Sequence, residues 1–229
     1  MKLLFETIIK FVLGIIMIGS LLFLPAGTFT FWNAWLFMGL LFIPMFFVGL
    51  VLWLKNKELL KKRLNGREEE KSQKTVILMT LVIFIVGFII AGLDFKYNWT
   101  RLPIWVIFAG AVILLISYML YIEVMRENTY LSRTVEIQEN QKVIDTGLYG
   151  IVRHPMYMAT TFLYLSFPIV LGSLIAFVIF LPFPFVLAKR IKNEEDVLEN
   201  GLEGYKEYKQ KVKYKMIPFI WYIITNLMV

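Results

Sequence analysis

Residues 143–157 read V-I-D-T-G-L-Y-G-I-V-R-H-P-M-Y and contain the single histidine of a 229-residue chain. His154 can bind or release a proton near neutral pH, and Tyr149 and Tyr157 offer aromatic faces that attract a cation. Pro155 suits the first turn of a helix, which puts Arg153 and His154 at a helix N-terminus, where free N–H groups favour an anionic ligand group. Gly147, after Asp145 and Thr146, permits a turn with positive φ or a close approach of backbone to a ligand. A second group lies in R-I-K-N-E-E-D-V-L, where Arg190, Glu194 and Val197/Leu198 fall on adjacent turns of one helix face. Each piece also has a plainer reading. His154 is then a structural hydrogen-bonder, Arg153 an anchor to lipid phosphate, Arg190 and Glu194 a surface ion pair, and Glu195, Asp196 and Glu199 a solvated face.

The elements that must position these residues are set by composition. The chain is 59% hydrophobic and 18% charged, with mean hydropathy +0.68, more apolar surface than a soluble domain of this length can bury. It reads as an all-α, polytopic transmembrane protein of about four spans plus a C-terminal helical hairpin. Cysteine is absent, which excludes disulfides, zinc-thiolate sites, Fe–S clusters and a cysteine nucleophile, and one histidine makes no histidine-rich metal site. The net charge of +7 lies beside hydrophobic spans, where it sets topology and meets anionic lipid, so nucleic acid is not expected as a partner.

Spans are expected over residues 3–24, 31–54, 75–93 and 102–125, each about the length that crosses a bilayer. For the first, a cleaved signal peptide ending near Ala26 is the rival reading. The basic loop 55–74 is assigned to the cytoplasm by the positive-inside bias, and Trp32, Trp35, Trp99 and Trp105 are interfacial anchors. Residues 156–171 and 173–187 form a tight hairpin whose second arm is kinked by Pro182 and Pro184. The polar stretches before and after it face the cytoplasm together, with both termini, and Phe219, Trp221 and Tyr222 return to the membrane surface. The division is residues 1–125, four spans, and residues 126–229, which carry the chemistry.

G-L-Y-G-I-V-R-H-P-M-Y, then a hydrophobic hairpin, then R-I-K-N-E-E-D-V-L and G-Y-K-E-Y-K-Q-K-V-K-Y-K-M-I-P resembles the isoprenylcysteine carboxyl methyltransferase and phospholipid methyltransferase superfamily of integral membrane enzymes. The resemblance covers about the last 90 residues. It implies a cytoplasm-facing S-adenosylmethionine pocket and a lipid tunnel opening sideways into the bilayer. Carried over, Tyr149, His154, Pro155, Met156, Tyr157 and Glu194 contact the cofactor, and Arg190 is the substrate-side cation. Lys142, Val143 and Ile144 pack on the adenosyl part, with Gln141 standing where the isoprenylcysteine enzymes tend to have a histidine. Lys189 and Lys192 also depart from more acidic surroundings. The implied catalytic residues are Arg190 and His154, the acceptor a lipid-like or prenylcysteine-like carboxylate or amine, and the location an integral, plasma (inner) membrane one.

A carboxylate acceptor needs no general base and would be held by Arg190, whereas an amine must lose a proton, to His154 or Glu194. A soluble Rossmann-type methyltransferase is excluded, because no G-x-G motif follows a strand. Two rivals stand beside this reading: a nicotinamide-dependent reductase of the related sterol-reductase branch, and a non-catalytic membrane protein such as a small permease. Transport is disfavoured because mid-membrane segments are nearly free of charge.

Overall fold

In the computed structural model, which describes residues 2–64, 71–131 and 137–218, the apolar stretches form the helices their length requires. The order is α1 (Lys2–Ala26), α2 (Trp32–Lys55), α3 (Lys57–Leu64), α4 (Lys71–Tyr97), α5 (Ile104–Glu127), α6 (Pro155–Val170), α7 (Leu174–Phe180), α8 (Phe183–Gly201) and α9 (Tyr205–Lys211), with one 3-10 turn, Gly147–Gly150. The all-α class read from the sequence is the class observed. The aromatic end at Phe219, Trp221 and Tyr222 lies outside the described residues.

Among the described residues, five stretches are long and apolar enough to cross a bilayer: Leu3–Ala26, Trp32–Lys55, Lys74–Tyr97, Ile104–Glu127 and Leu174–Gly201. The fifth joins α7 to α8, so the second arm of the hairpin runs straight on into the polar helix that carries Arg190 and Glu194. Pro182 and Pro184 mark the join, where α7 ends and α8 restarts with proline in its first turn. Large apolar side chains such as Leu13, Ile16, Phe46, Leu78 and Trp105 point outward, a lipid-facing surface that water would not tolerate at this extent.

Inside, Phe37, Phe88, Phe167 and Phe180 are buried together, with the Phe37 and Phe167 rings 4.8 Å apart. The helices meet through small residues. Gly92 of α4 lies against the Leu22 carbonyl of α1, Gly110 of α5 against Ile169 of α6, and Gly87 of α4 against the Phe180 ring, with no room for a methyl at any of them. At the end where α6 stops, Asp94 accepts hydrogen bonds from the Thr100 amide at 2.7 Å, the Thr100 hydroxyl and the Ser173 hydroxyl. Ser173 also caps α7 by accepting from the Ala176 amide. The 16 residues of α6 carry the chain about 24 Å from the His154 end to this one.

Candidate functional site

The turn expected at 145–147 falls slightly later, at Gly147–Gly150, and two constraints impose glycine at 147. Gly147 has φ +53°, and a side chain on it would fall inside the Glu127 carboxylate. Glu127 in turn accepts from the Leu148 amide at 3.0 Å, tying the 3-10 turn to the end of α5. The turn presents Tyr149, whose hydroxyl accepts from Asn128 at 2.9 Å. Burial pushes the Tyr149 phenol well above its ordinary range, against the lowering effect of the Asn128 hydrogen bond.

His154 caps α6 and Pro155 is its first residue, as the sequence predicts. The Tyr157 and Met158 amides bond back to the His154 carbonyl, and proline has no N–H. The helix start therefore offers an anion little beyond the Met156 amide, less than expected. The loop is held from the other side by the segment after α9, because the Arg153 amide donates to the Tyr214 carbonyl at 2.9 Å and the His154 amide to the Lys215 carbonyl at 2.8 Å.

Two plainer sequence readings are overturned here. Glu195, expected on a solvated face, is 3% exposed. Its Oε1 accepts from Arg153 Nε at 2.8 Å and lies 3.1 Å from His154 Nε2, while Oε2 faces Lys215 at 3.6 Å and Lys209 at 3.9 Å. Arg153 is no lipid anchor either, since it is buried and donates a further bond to the Val212 carbonyl at 2.6 Å. The sequence did carry a signal: Leu187, Ile191 and Glu195 recur every four residues along the buried side of α8, so Glu195 continues an apolar stripe. Asp196 is exposed, and Glu199 pairs with Lys209.

Gln141, Ile144, Tyr149, His154, Met156, Tyr157, Arg190 and Glu194 line one cavity of about 870 Å³, counting its open mouth. Pro155 is not in the wall and serves to start α6. Arg190 and Glu194 are linked through Tyr157, whose hydroxyl accepts from Arg190 Nε at 2.9 Å and donates to Glu194 Oε2 at 2.5 Å. His154 Nδ1 stands 3.9 Å from Glu194 Oε1, so the imidazole sits between Glu194 and Glu195. The site is thus an alternation of carboxylates, cations and phenols on α6 and α8.

The sequence reading did not place Tyr205 and Tyr208 of α9, which cover the same cavity. Their i,i+3 spacing after Gly204 was the available sign, with φ +81° at Gly204 turning the chain over the site. The Tyr208 hydroxyl donates to the Tyr149 carbonyl at 2.8 Å, and burial raises both phenols.

Beside this cavity lies a second, apolar one of about 1360 Å³ between α1, α2, α3, α5 and α6. Phe11, Leu41, Val48, Leu52 and Leu163 line it, and its cations are Lys10 and Arg63. Lys10 donates to the Leu64 carbonyl of α3 at 3.0 Å. Arg63 lies over the Tyr121 ring at 5.2 Å and reaches the Met156 sulfur at 3.9 Å. Arg63 of the groove thus touches Met156, which lines the cavity.

Fold and site together define an integral membrane helical protein whose α6 start and α8 enclose a cavity next to an apolar groove. The sequence profile of the isoprenylcysteine carboxyl methyltransferase (ICMT) family matches residues 106–200, which contain His154, Arg190, Glu194 and Glu195. The fold is similar to that of the eukaryotic intramembrane Ras methyltransferase ICMT, with TM-score 0.54 and 18% identity over 89% of this chain and 74% of that one. The profile match bears out the resemblance carried by the R-H-P-M-Y and E-E motifs, and the structural match bears out the fold. No curated protein sequence matches the chain.

Proposed function

We propose that this protein is an integral membrane methyltransferase that uses S-adenosylmethionine and acts on a lipid-like acceptor, with its site facing the cytoplasm. The observation that carries the reading is the convergence of Tyr149, His154, Tyr157, Arg190 and Glu194 on one cavity, whose Met156 meets Arg63 of an apolar groove. The residues fit the cofactor. Val143, Ile144, Leu198 and Leu202 make an apolar wall suited to adenine. The phenols and Glu194 suit the sulfonium and ammonium, and the Met156 amide suits the carboxylate.

When bound, S-adenosylmethionine supplies a methyl group on a sulfonium that is already an excellent leaving group, so alignment is the protein's main task. Tyr157 holds Arg190 and Glu194 in register by bonding both. Arg190 orients an acceptor carboxylate, a group that needs no base. For an amine acceptor, Glu194 takes the proton, because the His154 Nε2 is already engaged by Glu195. His154 then acts by fixing the loop and the Glu194 carboxylate. A membrane-borne acceptor reaches the site through the groove without leaving an apolar environment, and Arg63 meets its polar end.

The test is to incubate membranes containing the protein with methyl-labelled S-adenosylmethionine and count the lipid and protein fractions, with Glu194→Gln membranes as control. Label in lipid that the variant abolishes establishes a lipid acceptor, and label in protein a prenylcysteine-like one. No transfer, together with no cofactor binding to the purified protein, overturns the reading.

A further inference from the structure

Among the described residues, one buried side-chain polar atom has no hydrogen-bond partner, the hydroxyl of Tyr205. Tyr205 is 4% exposed, packs with Leu202, Tyr208, Val143 and Leu198, and lines the same cavity as Tyr157, Arg190 and Glu194. A buried hydroxyl without a partner is destabilising, and folded proteins nearly always supply one. One turn further on α9, Tyr208 shows the satisfied case, donating to the Tyr149 carbonyl. Burial, reinforced by the Glu195 and Glu194 carboxylates, keeps the Tyr205 phenol un-ionised, so it remains a neutral donor.

We propose that the Tyr205 hydroxyl donates a hydrogen bond to the nucleoside half of bound S-adenosylmethionine, fixing that end of the cofactor while Glu194 holds its cationic end. The inference rests on the reading of the cavity as an S-adenosylmethionine site. The nucleoside half is assigned because the neighbours Val143, Leu198 and Leu202 are apolar, which suits a purine, and because ring nitrogens and ribose oxygens accept hydrogen bonds. Tyr205 lies beyond residues 106–200, the segment the ICMT profile covers, and the sequence reading gave it no role.

Tyr205→Phe removes the hydroxyl and keeps the ring. Purified full-length protein in lipid nanodiscs would be titrated calorimetrically with S-adenosylhomocysteine and with 5′-methylthioadenosine, which has the nucleoside but no amino-acid half. Tyr205→Phe should weaken both about tenfold, the scale of one hydrogen bond, whereas Glu194→Gln should weaken only the first. Without ligand, Tyr205→Phe should unfold at or above the wild-type temperature, because no bond is lost in the free protein, while a purely structural tyrosine would lower it. Unchanged affinity for both ligands overturns the inference, as does weakened binding of S-adenosylhomocysteine alone. Wild-type protein that binds neither ligand overturns the cofactor reading itself.

Discussion

The two ends of the helical bundle each bury a carboxylate, and they neutralise it differently. Asp94 is 1% exposed and Glu195 3%, so burial does not separate them. Asp94 is met by neutral donors, an amide and two hydroxyls, whereas Glu195 is met by a guanidinium, an imidazole and two ammonium groups. Neutral donors clip the loop at Thr100 to the turn at Ser173. The cationic set joins α6, α8 and the segment after α9, which are the elements that build the cavity. A buried carboxylate with several cations marks the end of the molecule where charge has to be arranged, and the other marks a staple.

The comparison is most readily broken by removing Glu195. Glu195→Ala leaves Arg153 buried without its counter-ion and His154 without its partner, and should destabilise the protein by about 3–5 kcal/mol, read by thermal unfolding in mild detergent, with cofactor affinity lost as well. Glu195→Gln keeps the shape and one acceptor but still strands the guanidinium, so about 3 kcal/mol is expected. Asp94→Asn should cost only about 1 kcal/mol, because the amide oxygen still accepts from Thr100 and the hydroxyls can accept in return. Its cofactor affinity, measured by calorimetry, should match wild type. Equal losses for Glu195→Gln and Asp94→Asn would erase the distinction. Smallest of all, Lys209→Met removes a cation whose side chain is 38% exposed, and should change stability by no more than about 0.5 kcal/mol.

Much of this was legible in the residue order. Spans follow from hydropathy and length, Pro155 at the head of α6 from its missing N–H, and the shared face of Arg190 and Glu194 from their spacing. The glycine at 147 could be read as a turn, though not as the seat of the Glu127 carboxylate. What the sequence withheld is long-range closure. Arg153 and Glu195 are 42 positions apart, Asp94 and Ser173 79, and a run such as E-E-D looks solvated until the partners of its middle members are known. The apolar groove was equally hidden, since it belongs to five helices and to none of them alone. Tyr205 and Tyr208 could be seen as a pair, but their place over Tyr149 depends on the turn at Gly204.

The pairing of Arg153 and His154 with Tyr214 and Lys215 has a consequence for how the protein is made. Chains grow from the N-terminus, and the helices that cross the bilayer can insert and associate as they emerge. The two residues at the heart of the cavity wait for backbone partners some 60 positions downstream. A nascent chain therefore passes through a stage that is fully threaded through the membrane yet has no finished site, and translation arrested before Val212 would leave it there.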